Sequence, residues 1–329
     1  MTLDPAVAAV RGAVRRALAD AVELADQPVL VACSGGADSL SLLSATVFEA
    51  RDLPCRVVGV TVDHGLQPGS AERADALVAR MVTLGVDETV AVRVTVEASG
   101  QGPEAAAREA RYAVLEEVAE RFGSPVVLLG HTLDDQAETV LLGLTRGSGG
   151  RSLAGMRPAF DRFLRPLLGI SRAETEAACR AEGLEWWADP HNSDPAFTRA
   201  RVRAVVMPML ERELGPGVAR TLARTAPQLR ADVDLLDAQA AAAYDELVVD
   251  DELPVDRLET VPDALRLRVL RLGALRAGAI PSDLSHGHLL AVDELVGRWR
   301  GQLGVDLPGR LRAVRRDGRL AFVPSGRTA

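Results

Sequence analysis

Residues Ser34-Gly35-Gly36-Ala37-Asp38-Ser39 follow the apolar run Pro28-Val29-Leu30-Val31-Ala32-Cys33 and lead into the helical pattern Leu40-Ser41-Leu42-Leu43-Ser44-Ala45. A strand that ends in Ser-Gly-Gly and turns into a helix builds an anion cradle. Glycine lets the backbone approach a phosphate closely, and the first N–H groups of a helix carry partial positive charge and lack partners. Asp38 adds a carboxylate suited to Mg²⁺, and Ser34 and Ser39 add hydroxyls. The GxxxxGK[ST] loop is excluded because it needs a lysine, and all 38 basic residues of this chain are arginines. The plainer alternative, a Gly-Ser turn between strand and helix, has to be weighed against what flanks these six residues.

Strand and helix patterns alternate through the first two hundred residues. An amphipathic helix spans 6–24, and β-rich runs lie at 28–33, 56–62, 89–96 and 125–129, with helical stretches at 39–50, 70–84 and 103–122 between them. Near-continuous Val/Leu runs alternating with helices predict a parallel sheet covered on both faces. A further run, Phe163-Leu164-Arg165-Pro166-Leu167-Leu168, supplies a last strand at the sheet edge, where its proline is tolerable. The expectation is therefore α/β: a Rossmann-like parallel sheet of five strands sandwiched by helices, with ligands at the carboxyl ends of the strands near a switch point. Polar motifs fall there: SGGADS, then Asp63-His64-Gly65-Leu66, then Gly130-His131-Thr132-Leu133-Asp134-Asp135. Ser171 reads as an N-cap completed by Glu174 in a capping box.

From Gly215-Pro216-Gly217 the character changes, to helices near 218–248, 262–278 and 283–297 and short strands near 311–323. Two domains are expected, 1–215 and a mainly helical 216–329, in keeping with a length of 329 residues. A formal charge of −8 gives no general attraction for nucleic acid, so RNA would need local basic surfaces. Thr198-Arg199-Ala200-Arg201-Val202-Arg203 is one, and the stretch from Arg298 to Arg327 is another. Cys33, Cys55 and Cys179 form no CxxC pair, which excludes a disulfide framework or zinc ribbon and fits a reducing cytoplasm. The N-terminus lacks signal-peptide character, and no apolar run approaches the roughly 20 residues that cross a membrane, so a cytoplasmic protein is expected.

If a helix starts near Asp134, then Asp134 and Glu138 share one face, with His131 and Asp135 at its mouth. The two aspartates are either simple helix caps or, beside a phosphate loop, groups that handle Mg²⁺ and an amine. Leu144-Thr145-Arg146-Gly147-Ser148-Gly149-Gly150 is either a linker or a second close-approach loop, with Arg146 and Gly147 at the ligand. His286 and His288 are spaced to face apart on a helix, which argues against a metal pair. Trp186-Trp187 reads as packing and Trp299 as a surface residue between arginines.

SGGADS resembles the pyrophosphate loop (PP-loop) of the ATP pyrophosphatases. With VDHGL, EAAAREARY, GHTLDDQAET, LTRGSGGRSLAGM, RPLL and WWADPHN…RARVR, it occurs in the order found in the tRNA(Ile)-lysidine synthetase family, over roughly residues 28 to 210. The resemblance implies ATP and Mg²⁺ as cofactors, and a tRNA(Ile) with a CAU anticodon and L-lysine as substrates. It implies adenylation of the wobble cytidine at O2, attack of the lysine ε-amine at C2, and release of pyrophosphate and AMP. It implies that Ser34, Gly35, Gly36, Ala37, Asp38 and Ser39 hold the pyrophosphate and Mg²⁺, and that Asp63 and His64 flank the adenosine. Asp135 would then be the amine ligand, surrounded by His131, Asp134 and Glu138, while Arg111, Arg201 and Arg203 line the reaction centre. Gln67, Ala200 and His191 depart from the family's pattern. The length matches the shorter, two-domain form of the family; no obligate protein partner or membrane is implied, and homodimerisation is left open. The rival within the fold, a tRNA thiolase, leans on paired cysteines that this chain lacks.

Overall fold

The computed structural model describes all residues except 1–2, 21–26, 64, 66–68, 95–102, 146–148, 190–193 and 327–329, and the backbone alone at 20 and 103–105. His64, Gln67, Arg146, Gly147 and His191 thus lie outside the described residues. Two compact units divide the chain: Met1–Leu142 with Gly155–Arg224, and Gly143–Ala154 with Thr225–Ala329.

The first unit opens with α1 (Pro5–Asp20), β1 (Pro28–Ala32), α2 (Ala37–Ala50), β2 (Arg56–Asp63), α3 (Ser70–Leu84) and β3 (Glu88–Arg93). It continues through α4 (Pro103–Phe122), β4 (Val126–Leu129) and α5 (Leu133–Thr145), whose end passes into the second unit with α6 (Gly150–Leu153). It resumes with β5 (Ala159–Phe160), β6 (Phe163–Leu164), α7 (Arg172–Ala181), α8 (Thr198–Arg201) and α9 (Met207–Glu213). Strand order is β3-β2-β1-β4-β6-β5, parallel but for β5. The chain winds outward from β1 to β3, then returns to β4 beside β1, so the order reverses between β1 and β4. One face of the sheet packs Val29, Val31, Leu40, Leu43 and Met81 with α1, and the other packs Leu30, Val58, Leu115 and Val127 against α4. Burial on both faces is why these strands read as unbroken Val/Leu runs.

Among the described residues the sheet has six strands, not five. The expected strand over 163–168 is only Phe163–Leu164, because Pro166 lacks an N–H and opens a 3₁₀ turn over Pro166–Gly169 instead. The sixth strand, β5, folds back antiparallel through Asp161 and Arg162, with Asp161 in the left-handed region at φ 47°. That turn carries no glycine, and two-residue strands are shorter than any periodicity can register.

The second unit contains most of α10 (Val218–Leu247), then β7 (Leu253–Pro254), α11 (Val255–Glu259), α12 (Asp263–Arg276), α13 (His286–Gly297), β8 (Val305–Leu307), β9 (Leu311–Arg316) and β10 (Arg319–Pro324). Its helices enclose a core of Leu258, Leu270, Val292 and Leu320 against an antiparallel sheet ordered β7-β10-β9-β8. Among the described residues no helix is long and apolar enough to cross a membrane.

α7 begins as its sequence predicts. The Ser171 hydroxyl accepts from the Glu174 N–H while the Glu174 carboxylate accepts from the Ser171 N–H, 2.8 Å away, and hydroxyl. This box orients the first turn of α7, which carries Arg172 and Thr175. Ser171→Ala removes one side of it and should cost about 1 kcal/mol, read as a lower midpoint at unchanged slope in urea unfolding; an unchanged midpoint would show that α7 is positioned by packing alone.

Candidate active site

The crevice lies where β1 and β4 end side by side, with Ala32 paired to Leu129. After β1 the backbone turns through Gly35, at φ 84°, into α2, whose N-cap Gly36 supplies no side-chain acceptor to the leading amides. Ser39 is buried and shapes this turn: its hydroxyl accepts from the Ser34 N–H at 3.1 Å and donates to the Gly36 carbonyl at 3.0 Å. Ser34 is exposed and Ala37 is packed into the core. Across the crevice, a Cβ on Gly130 would meet the Asp38 carbonyl carbon and oxygen and the Ser39 Cα, each at 3.2 Å. Glycine at this position lets β4 approach the loop. The Trp187 N–H donates to the Gly35 carbonyl at 3.0 Å and ties the loop from outside.

Asp38 accepts from the Thr175 hydroxyl, and Arg172 Nε stands 3.5 Å from its other oxygen. Burial pushes this carboxyl up to about 6, with Asp135 adding to the effect and Thr175 and Arg172 opposing it. Asp134 acts as a clamp between helices, accepting the Arg172 backbone N–H at 2.7 Å. Asp135 accepts from the Thr132 N–H at 2.8 Å and hydroxyl at 3.0 Å on one oxygen, and from Arg203 at 2.9 Å and Arg172 at 3.2 Å on the other. Burial alone would raise the Asp135 carboxyl, but Arg172, the Thr132 amide and Arg203 together hold it below the usual carboxylate range. Glu138, with a side chain only 2% exposed, takes Arg203 Nε at 2.7 Å and Nη2 at 3.0 Å, and Arg199 at 3.2 Å.

His131 accepts from Arg165 Nε at 3.3 Å on Nδ1, which leaves the proton of a neutral ring on Nε2. Burial, with Arg165 beside it, pushes the imidazole down to about 3, against the pull of Asp135. Arg165 is itself buried and also donates to the Arg157 carbonyl and the Tyr112 hydroxyl.

Not every expected residue joins this group. Arg203 and Arg199 sit four residues apart on one helical face and both reach Glu138, whereas Arg201 faces away and donates to the Pro195 and Ala196 carbonyls and the Thr198 hydroxyl. Arg111 is exposed on α4. Asp63 closes its own turn, accepting from the Gly65 N–H at 2.9 Å and from Arg93 at 2.8 Å. Burial would raise it, but those donors draw it below the carboxylate range. Sequence reasoning missed Arg172, Thr175, Thr132 and Arg165, and took Arg199 for an RNA contact only. The readable signal for Arg172 and Thr175 was their place in the first turn of a helix with a capping box. Nothing in the sequence says which neighbour that turn faces.

Two family models match separate parts of the chain. A PP-loop domain matches residues 11–210, and a TilS substrate binding domain matches 253–321. The tRNA(Ile)-lysidine synthase of Thermobifida fusca is 54% identical over 96% of this chain and 97% of its own length. That of Streptomyces coelicolor is 49% identical over 97% of this chain and 98% of its own. Among solved structures, the U34-tRNA thiolase NcsA of Methanococcus maripaludis superposes with a TM-score of 0.57 at 21% identity, over 68% of this chain and 79% of that one, a likeness of fold alone.

His131, half-buried and held at about 3, should stay neutral in the folded protein, its NMR resonances invariant from about pH 5 to pH 8. The unfolded chain takes up a proton at this residue near 6.5. The stability it contributes is therefore present above about pH 6.5 and declines as pH falls below that, and His131→Asn should flatten the decline. A folded-state midpoint near ~6.5 would refute the assignment.

Proposed function

The chain belongs to the tRNA(Ile)-lysidine synthase family of C–N bond-forming ligases, and on that premise we propose that it joins L-lysine to C2 of the wobble cytidine in a CAU-anticodon tRNA(Ile). The route is adenylation of O2 by ATP with loss of pyrophosphate, then attack by the lysine ε-amine with loss of AMP. The observation that carries this reading is the meeting of an anion cradle after β1 with the Asp135–Glu138 carboxylates after β4, bridged by Arg172.

Each group has work suited to its surroundings. The uncapped amides at the start of α2 and the glycines of the loop receive the polyphosphate, and fixed N–H dipoles there stabilise the departing pyrophosphate without reorganisation. Mg²⁺ fits this site as a partner of one carboxylate plus phosphate oxygens, the coordination this ion prefers with nucleotides. Among the described residues no group of three or more His, Cys, Asp or Glu could hold it unaided, but Asp38 is a half-buried carboxylate whose desolvation outweighs the opposing Thr175, Arg172 and Arg203. Mg²⁺ bound there would neutralise developing phosphate charge. Asp135, held ionised, attracts the lysine ammonium. It serves as an electrostatic ligand, and the ammonium proton, with an unperturbed pKa of about 10.4, passes to Asp135 or Glu138, directly or through water. His131 is too weak a base for that task and orients through Arg165.

Selection between isoleucine and methionine tRNAs that share an anticodon needs contacts elsewhere, which we assign to residues 216–329. The scattered cysteines suit work in the cytoplasm.

Purified full-length protein with ATP, Mg²⁺ and radiolabelled lysine should label CAU-anticodon tRNA(Ile) and leave methionine tRNA unlabelled; no label in either would sink the reading. Asp38→Ala should lower pyrophosphate release by about two orders of magnitude or more, the scale of losing a preorganised transition-state charge, with circular dichroism unchanged. Asp135→Asn should still release pyrophosphate but transfer lysine poorly, and an equal loss of both steps would move Asp135 to the nucleotide half of the site.

A further inference from the structure

All four oxygens of the Asp135–Glu138 pair already have donors from the protein. Asp135 gives one oxygen to Thr132 and the other to Arg172 and Arg203, and Glu138 gives one to Arg203 and Arg172 and the other to Arg199 and Arg203. An incoming ammonium carries three donors and no acceptor, so it cannot reach these carboxylates until a guanidinium gives way. The distances say which one. Arg203 makes two short bonds to Glu138, at 2.7 and 3.0 Å, and one to Asp135 at 2.9 Å. Arg172 is spread thinly over three carboxylates, at 3.2 Å from Asp135, 3.5 Å from Asp38 and 3.8 Å from Glu138.

Arg172 is also the guanidinium that reaches into the phosphate loop, through Asp38. Its backbone is fixed by Asp134 and by the capping box of α7, so only the side chain can swing. A polyphosphate arriving beside Asp38 offers a planar guanidinium a bidentate partner of higher charge than any one carboxylate here.

We propose that Arg172 is a positioning residue that occupies the amine subsite of Asp135 and Glu138 in the nucleotide-free protein and is drawn off by the polyphosphate of ATP, so that lysine binds after the nucleotide. This rests on reading Asp135 as the amine ligand. The device keeps two buried carboxylates paired when no substrate is present, since an unpaired buried charge is strongly destabilising. It also keeps lysine from the site until a nucleotide is there to activate the tRNA. Linkage makes the effect reciprocal: the factor by which nucleotide tightens lysine is the factor by which lysine tightens nucleotide.

The test is equilibrium binding of L-lysine to the full-length protein, with and without Mg²⁺ and α,β-methylene ATP, which cannot be split at the reacting bond. In the wild type, nucleotide should tighten lysine by about tenfold or more, within the usual range of coupling between sites. Arg172→Gln should bind lysine without nucleotide nearly as well as the wild type does with it, and the coupling factor should fall to about one. Arg172→Lys keeps the charge but not the fork that spans three carboxylates, so it should lose at least about threefold of the coupling and keep the rest. A residue that merely propped the fold would not separate these states. Wild-type coupling in either variant would overturn the proposal, as would loss of lysine affinity in Arg172→Gln in both states or wild-type lysine binding indifferent to nucleotide. If Arg172→Gln fails to fold by circular dichroism, Arg172→Lys decides alone. Wild-type protein that binds nucleotide but never lysine would sink the assignment of Asp135 and this proposal with it, and protein that binds neither would sink the proposed function.

Discussion

The approach of Gly130 to the backbone of Asp38 and Ser39 is the constraint on which the site depends. Parallel pairing of β1 with β4 brings the two strand ends level, and at that spacing a side chain at the first residue after β4 would push into the phosphate loop. Because this contact is backbone against a missing Cβ, it cannot relax by rotamer change. The loop on one strand and the carboxylates on the next are therefore held at a fixed separation, and chemistry that needs a nucleotide and an amine in adjacent places can use it.

Charge is the second constraint. Asp38, Asp134, Asp135 and Glu138 crowd together in a chain of net charge −8, and the arginines that answer them come from α7 and from the segment at 199–203. These guanidiniums make the buried carboxylates tolerable, at the cost of occupying the oxygens that a cationic substrate would seek. The environments diverge as a result: Asp38, with less compensation, is raised to about 6, while Asp135 is lowered and His131 kept neutral. Titratable groups whose surroundings push them apart can take different roles in one small volume.

Much of the fold was legible. Strands buried on both faces announce themselves as Val/Leu runs, and the helix at 70–84 and the capping box at Ser171 lie where their residues put them. The β5–β6 edge was not legible, because its strands are two residues long and its turn uses an aspartate in the left-handed region. At the site, the carboxylates of GHTLDDQAET could be listed but not told apart. Asp134 proved to hold the start of α7, and its neighbour Asp135 to hold two arginines. Of the arginines at 199, 201 and 203, helical spacing alone says that the middle one faces away, but not which face is inward.

The order of elements, the glycine turn at Ser34–Ser39 and the chemical types gathered at the strand ends follow from local periodicity, glycine placement and helix-end rules that act within a few residues. Tertiary structure alone decided that Arg172 and Thr175, some 135 residues beyond the loop, turn back onto Asp38, and that Arg199 rather than Arg201 reaches Glu138. Those contacts depend on where whole helices dock, and docking is set by buried area and close packing across the sheet, which no local pattern records.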